Sequence, residues 1–304
     1  FALFFGRVFC AAACPLGAIQ DVVLLRPVKV PPWLESGLGL MPFVYLGAAV
    51  LFAYTDSVFI ICKYDPFVSF FRLGGTPSAF GLGAVMLLVA VFVGRPYCRF
   101  VCPYSALLRM LSPFAKWRVV LNRGECVRCH LCADACPFGA IRPPTPAEEA
   151  PPRRAGKATL AALLLLLPVL GVMGGLLGWA SSPMLSRVNH TVRLADRVWA
   201  EEQGLVEGTT DESDAFYHLG LPNTGLYREA GEIRTRFDTG STLFAAWIGL
   251  VIGVRLIAVS VRRRREGYDI DPSACVACGR CYGSCPVDLA YARGQAVEYP
   301  GNSP

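Results

Sequence analysis

Four uncharged apolar runs, at 36–54, 73–94, 158–186 and 239–254, constrain this chain more than any other feature. Each is compatible with the roughly 17–25 residues that a helix needs to cross a bilayer, so four transmembrane helices are expected. The last run continues past Arg255 to Val261, and an arginine near a helix end can reach back to the interface. A chain that is 54% hydrophobic and only 17% charged does not suit an ordinary soluble domain, so this surface must face lipid. Residue 1 is Phe, and FALFFGRVF reads as the tail of another apolar segment, so further sequence is expected upstream.

Charge sets the expected orientation, because short cytoplasmic loops retain Lys and Arg. Arg95, Arg99, Arg109, Lys116, Arg118, Arg123, Arg128, Arg142, Arg153, Arg154 and Lys157 lie between the second and third runs, and Arg262 to Arg265 follow the fourth. The 187–238 segment instead holds six Arg against ten Asp and Glu, and reads as the external loop. Most of the cysteines then fall on the cytoplasmic side, and Cys62 on the other.

Two stretches, CVRCHLCADACP at 126–137 and CVACGRCYGSCP at 275–286, share the spacing CxxCxxCxxxCP, the ligand run of bacterial-type [4Fe-4S] ferredoxins. Three thiolates in one tight loop cap three irons of a cube, and the fourth ligand comes from elsewhere. In two-cluster ferredoxins it comes from the other motif. The expected groups are therefore Cys126, Cys129, Cys132 and Cys285 for one cluster, and Cys275, Cys278, Cys281 and Cys136 for the other. An even number of crossings between the motifs allows both halves to close one module. Short strands are expected around each loop, WRVVL and AIRP in the first half, YDI and LAYA in the second. Zinc sites favour two CxxC pairs or Cys/His mixtures, and disulfides do not suit a reducing face.

An internal repeat accounts for four more cysteines. FGRVFCAAACPLGAI at 5–19 aligns with VGRPYCRFVCPYSAL at 93–107 through Gly-Arg, an aromatic and CxxxCP. Cysteines four apart share a helical face, and the following Pro suits the first turn of a new helix. One pair supplies two thiolates, whereas Cys10, Cys14, Cys98 and Cys102 together supply the four a cluster needs. Redox dithiols and structural thiols remain the alternatives, although a disulfide within one helical turn is geometrically awkward.

At these motifs the chain resembles the NosR/NapH group of membrane-bound polyferredoxins; CKYDPFVSFFR at 62–72 is similar to a segment of its NosR-type members. The resemblance implies electron transfer between the membrane quinol pool, or a cytoplasmic donor, and an extracytoplasmic redox partner or reductase. It implies two [4Fe-4S] clusters, a further cluster at the CxxxCP pairs, and a quinone site. The protein would be a quinol-oxidising oxidoreductase component with its clusters on the cytoplasmic side of the inner membrane. NosR-type members also carry an FMN-binding domain, which here would lie only in upstream sequence; the long 181–240 loop favours that branch. A second similarity, to a copper-assembly accessory protein of cytochrome oxidase, implies the alternative of a metal-assembly or redox-sensing protein.

The expected fold is mainly α: a polytopic helical membrane protein with a split bacterial-type 2[4Fe-4S] ferredoxin module, small and α+β, on the cytoplasmic face. Its divisions are 1–35 with the first CxxxCP motif, 36–94 with two transmembrane helices, 95–157 with the second motif, ferredoxin half 1 and a Pro-rich linker, 158–186 with the third helix, 187–238 as external loop, 239–261 with the fourth helix, and 262–304 with ferredoxin half 2. Cys62 reads as a packing residue, with Asp65 and Tyr64 beside it as candidates for a quinol pocket or proton path. Phe59, Tyr64, Phe67, Phe70 and Phe71 suit an interfacial belt. His130 reads as solvated. In the external loop, Val188, Val192, Ala195 and Trp199 step along one helical face, and TTDESDAFYHLG carries a helix start and a Gly stop. The basic run at 262–265 suits anionic lipid, and nucleic acid is not expected as a partner.

Overall fold

The computed structural model describes residues 2–65, 67, 74, 77–121, 126–145, 153–260, 265 and 267–293. The chain forms two compact units, one of Phe1–Tyr45, Thr76–Thr159 and Val259–Pro304, the other of Leu46–Gly75 and Leu160–Ala258.

Among the described residues three helices are long and apolar enough to cross a membrane: Pro32–Tyr54, Gly156–Ser186 and Asn223–Ser260. The remaining expected span holds a shorter apolar helix, Pro77–Ala90, of 14 residues, about 21 Å long at 1.5 Å per residue. Turns follow it at 91–95, and Leu73, Gly75 and Thr76 lie outside the described residues, as do Phe70, Phe71 and Arg262 to Arg264.

In the second unit, Asn223–Ser260 is one helix of 38 residues, so 223–238 is not loop as expected from its charge. The charges in YREAGEIRTRFD lower hydropathy without interrupting the helix, because Leu226, Ala230 and Phe237 stay buried on its inner side. It packs on the 160–186 helix through glycine. A Cβ on Gly174 would lie 2.3 Å from Ala245 O, and one on Gly178 would lie 2.2 Å from Ser241 O. Such small-residue seams let helix backbones approach where lipid supplies no hydrophobic drive.

The two short helices of the 187–238 segment form as expected. His190–Glu202 is capped by the Asn189 side chain, which accepts from Thr191 N at 2.9 Å, and Asp211–His218 starts in a Thr210/Ser213 capping box. Gly220, at φ 63°, follows the second helix. The buried stripe is Val192, Ala195 and Val198, with Phe216, Leu226 and Ala230. Val188 and Trp199 are exposed instead, since the helix begins only at His190 and the stripe runs 192, 195, 198.

In the first unit the ferredoxin halves meet. Strand β1, Ile141–Arg142, pairs antiparallel with β2, Asp269–Ile270, in the register Ile141↔Ile270 and Arg142↔Asp269. Ile141, Tyr268 and Ile270 form a small core against Val119, Leu121 and the cysteine loops. AIRP and YDI thus contain the expected strands, whereas LAYA lies in the Pro286–Ala292 helix. Pro286 presets φ for the first turn of a helix, and the segment continues from it. Of WRVVL, the end packs on this core without strand pairing.

Candidate functional site

The two CxxxCP copies fold alike. Each begins with a helix of five residues, Val8–Ala12 or Pro96–Phe100, followed by one of nine, Pro15–Val23 or Pro103–Leu111. The second cysteine, Cys14 or Cys102, is the N-cap of the longer helix, and the Pro after it occupies the first helical position. Cys14 N donates to Phe9 O at 3.0 Å, and Cys102 N to the equivalent Tyr97 O at 2.9 Å. Cys10 and Cys98 are each 6% exposed.

The four thiols lie close enough to act on one another electrostatically. Burial raises the Cys98 pKa to about 12, assisted by the Cys102, Cys14 and Cys10 thiols against a hydrogen bond from Gln20. Cys102 is raised to about 11, again mainly by burial with help from Cys10 and Cys14, while hydrogen bonds from the Ser105 and Tyr104 backbone oppose the rise. Neutral thiols resist ionisation here, so a cation that takes up the thiolates would reverse the protonation outright.

Two buried guanidinium groups cross between the copies. Arg7 of the first copy, 4% exposed, donates to Ser105 Oγ in the second copy at 2.9 Å and to Ser273 O at 2.8 Å. Arg95 of the second copy, 2% exposed, donates to Cys10 O at 2.5 Å and grips Asp21 through both carboxylate oxygens, at 2.9 and 2.5 Å. Gly17, the repeat partner of Ser105, leaves room for this: a Cβ there would lie 3.1 Å from Arg95 Nη1. Arg99 is also buried, with its guanidinium 2.7 Å from Glu35. Arg95 and Arg99, counted above among the cations that set the orientation, are therefore internal ion-pair partners. Gln20, 1% exposed, accepts from Tyr97 N at 3.1 Å and donates to Cys98 Sγ at 3.4 Å. Sequence reading passed over Gln20 and Asp21. The available signal was the point where the repeat fails, since Leu108 and Arg109 stand at those two places in the second copy.

The ferredoxin loops also match each other. Arg128 and His130 in the first have φ of 53° and 65°, and the equivalent Ala277 and Gly279 in the second have 57° and 76°. Left-handed backbone at matched places turns each loop tightly around its cysteines; Ala277 N donates to Cys275 Sγ at 3.4 Å. Burial raises the pKa of Cys275, and the nearby Cys136 and Cys278 thiols add to it. Cys281 is raised to about 11, mainly by burial, with contributions from Cys275, Cys278 and Cys136. A cavity lined by Cys136, Cys275, Cys278 and Cys281 with apolar Phe138 and Ile270 brings the first motif's fourth cysteine to the second loop. In the first loop burial raises Cys132, with contributions from Cys126 and Cys129. Cys285 starts the Pro286–Ala292 helix, donating its N–H to Tyr282 O at 3.1 Å. His130 is exposed, and it is also hydrogen-bonded to the Tyr268 hydroxyl, whose ring meets it edge-on at 5.5 Å.

All thirteen cysteines are free thiols. Among the described residues no three Cys, His, Asp or Glu side chains close around a single-ion position. One zinc would draw its thiolates to about 2.3 Å from a common point, whereas a [4Fe-4S] cube carries each thiolate on a separate corner. The soft donors, the N–H groups aimed at sulfur and the unpartnered, buried Arg7 Nε fit an anionic iron–sulfur group. Of the CxxxCP thiols, Cys10 adjoins the second loop, since Cys10, Leu108, Phe138 and Val276 form one buried cluster with Cys136 and Cys278 packed on it. Cys62 is exposed, and Asp65 is buried, accepting from Phe67 N at 2.9 Å.

A 4Fe-4S binding domain family matches residues 119–142 and 268–289, and a second 4Fe-4S binding domain family matches 1–32 and 75–121, the two CxxxCP regions. The regulatory protein NosR of Pseudomonas aeruginosa is 30% identical over 156 residues, which cover 46% of this chain and 22% of that protein. YccM of Escherichia coli, named as a candidate electron transport protein, is 27% identical over 149 residues, 43% of this chain and 41% of its own length. The methylamine utilization ferredoxin-type protein MauN of Methylobacillus flagellatus is 24% identical over 148 residues, 44% of this chain and 50% of its own. The match thus spans half or less of each of these relatives. No solved structure matches the chain. Both kinds of cysteine motif are thus matched by 4Fe-4S binding domains, and a chain that also carries helices of membrane-spanning length is similar to NosR and to ferredoxin-type electron transport proteins.

Proposed function

We propose that this protein is a membrane-bound iron–sulfur electron carrier, linking the quinol pool or a cytoplasmic donor to an extracytoplasmic reductase or flavin domain. Cys126, Cys129, Cys132 and Cys285 hold one [4Fe-4S] cluster, Cys275, Cys278, Cys281 and Cys136 a second, and Cys10, Cys14, Cys98 and Cys102 a third. The observation that carries this reading is the packing of Cys10 with Cys136 and Cys278 around one buried core. It gives membrane-edge thiols and ferredoxin thiols a common dry interior, where charge interacts strongly. When bound, each cluster supplies one-electron transfer at a potential set by its charge, hydrogen bonds and exposure. The chain supplies those settings: Gln20 and backbone N–H groups donate to sulfur, and apolar Phe138 and Val276 exclude water. The clusters are assigned to the cytoplasmic face of the inner membrane on the charge bias of the loops.

Iron and sulfide analysis with EPR on anaerobically purified protein tests the assignment. About twelve irons per chain are expected for three clusters, and Cys98→Ala should remove one EPR species and about four irons. Survival of every signal in that variant would sink the CxxxCP assignment. The relative named a regulatory protein favours a second reading, in which the clusters sense redox state or assist metal assembly. Fast, cluster-dependent quinol oxidation by membranes containing the protein is expected under the first reading and negligible turnover under the second.

A further inference from the structure

We propose that Arg7 and Arg95 are shared counter-cations of the CxxxCP thiol site and the 275–281 ferredoxin loop, and that they raise both redox potentials together. This rests on the reading that the CxxxCP thiols hold a cluster.

The argument begins with the cost of burial. A guanidinium removed from water is unfavourable unless an anion and hydrogen bonds compensate it. Arg7 is 4% exposed, yet its hydrogen-bond partners among the described residues are the neutral oxygens of Ser105, Ser273 and Ala274 and the Cys10 thiol, with no carboxylate among them, and its Nε has no partner. Its charge acts on the Cys10 thiol on one side and on Cys275 on the other. The compensating anion must come from the sulfur sites between which it lies. Arg95 has a similar double reach, since it donates to Cys10 O and its guanidinium lies 5.5 Å from the centre of the Phe138 ring, which packs with Cys278, and its charge acts on Cys98 and Cys278, but it is already paired with Asp21. Each arginine therefore bonds the opposite CxxxCP copy and reaches the second ferredoxin loop: Arg7 bonds the Ser273 and Ala274 carbonyls that precede Cys275, and Arg95 lies over the Phe138 ring, which packs in one cluster with Cys136 and Cys278. Around Cys132 in the first loop, by contrast, the charges that act are those of Cys126 and Cys129.

Reduction adds negative charge, so a nearby fixed cation favours the reduced form and raises the potential, while an anion lowers it. The two members of the Arg95–Asp21 pair should thus act with opposite signs, which damage to packing would not produce. Arg95 and Arg7 are positioning residues here: they act on the electron-carrying groups through charge.

The test is an EPR-monitored redox titration of the full-length chain in detergent, with iron and sulfide determined on the same samples. Arg7→Met and Arg95→Met should each lower the reduction equilibrium constant of two of three signals about tenfold, which is about 59 mV for one electron. The third signal should stay in place. Asp21→Asn should move the same two signals upward, and Arg95→Lys should recover most of the loss. If a methionine variant fails to load clusters, Arg7→Lys and Asp21→Asn, which keep the positive charge, carry the same comparison. Equal movement of all signals, movement of one signal only, or a downward shift in Asp21→Asn would overturn the proposal. Unmoved potentials in a protein with about twelve irons would remove this proposal alone. About eight irons in the unaltered protein would remove the CxxxCP cluster and this proposal with it.

Discussion

Gln20 is expected to hold the CxxxCP site together mechanically as well as electronically, and Gln20→Leu separates those roles from mere volume. The side chain is 1% exposed, accepts from Tyr97 N at 3.1 Å, and donates to Leu16 O at 2.8 Å and to Cys98 Sγ at 3.4 Å. Leucine fills nearly the same space, so the cavity contribution is small. What disappears is an acceptor. Tyr97 is 2% exposed and lies in the first turn of the Pro96–Phe100 helix. Removing that buried acceptor costs about 1–3 kcal/mol. For a unit of this size about 2 kcal/mol lowers the melting temperature by about 4–8 °C.

Gln20→Glu provides the counterpart. Its carboxylate keeps an oxygen for Tyr97 N but places negative charge where the amide donated to Cys98 Sγ. Gln20→Leu should therefore melt earlier while still loading iron, and Gln20→Glu should lose iron from the CxxxCP site more than it loses melting temperature. Anaerobic thermal melts in detergent, paired with iron content and EPR of the same preparations, measure both. If Gln20→Leu melted indistinguishably from the parent, the Tyr97 bond would not stabilise the site. Unchanged iron content in Gln20→Glu would equally refute the role given to the amide beside Cys98.

Three further outcomes follow from other parts of the chain. Gly178→Ala should destabilise the second unit by about 1–3 kcal/mol, because its Cβ would lie 2.2 Å from Ser241 O, whereas Gly231→Ala, with nothing within 4 Å, should be neutral or slightly stabilising in the same melts. Asp271 holds the entry to the second ferredoxin loop: burial opposes its charge, but hydrogen bonds from Ser273 and Arg142 outweigh this and keep its pKa below the usual carboxylate value. A depressed folded pKa means that its stabilisation is present above the unfolded value of about 3.9 and is lost as pH falls through the folded one. Asp271→Asn should therefore weaken the ferredoxin module at neutral pH by about 1–3 kcal/mol and flatten the acid limb of its melting profile; an unaltered acid limb would refute this. Gly94→Val should disrupt packing between the second CxxxCP copy and the first ferredoxin half, since even a Cβ would lie 2.9 Å from Pro137 O, and iron loss together with a lowered melting temperature would register it.

What the chain reveals before folding is unequal, and the reason is physical. Ligand spacing is local, so both CxxCxxCxxxCP runs and both CxxxCP copies could be read directly. The extent of the last helix could not, because hydropathy falls wherever charges line the outer face even when Leu226, Ala230 and Phe237 keep the inner face buried. The groups around the sulfur were hidden for a different reason. Arg95 and Arg99 look like surface cations until Asp21 and Glu35, far off in sequence, come within 2.5 and 2.7 Å. The repeat itself held the clue, in its mismatches. Where the copies agree, at Gly-Arg and CxxxCP, they build matched thiol pairs and arginine arms that cross between them. Where they disagree, the first copy has Gln20 and Asp21 and the second has Leu108 and Arg109. Among the described residues, only one of the two innermost thiols, Cys98, thereby receives a side-chain amide, and only one crossing arginine receives a carboxylate. The two near-identical halves are thus electrically lopsided: among the described residues the Arg7 guanidinium bonds neutral oxygens without a carboxylate, whereas that of Arg95 is neutralised by Asp21.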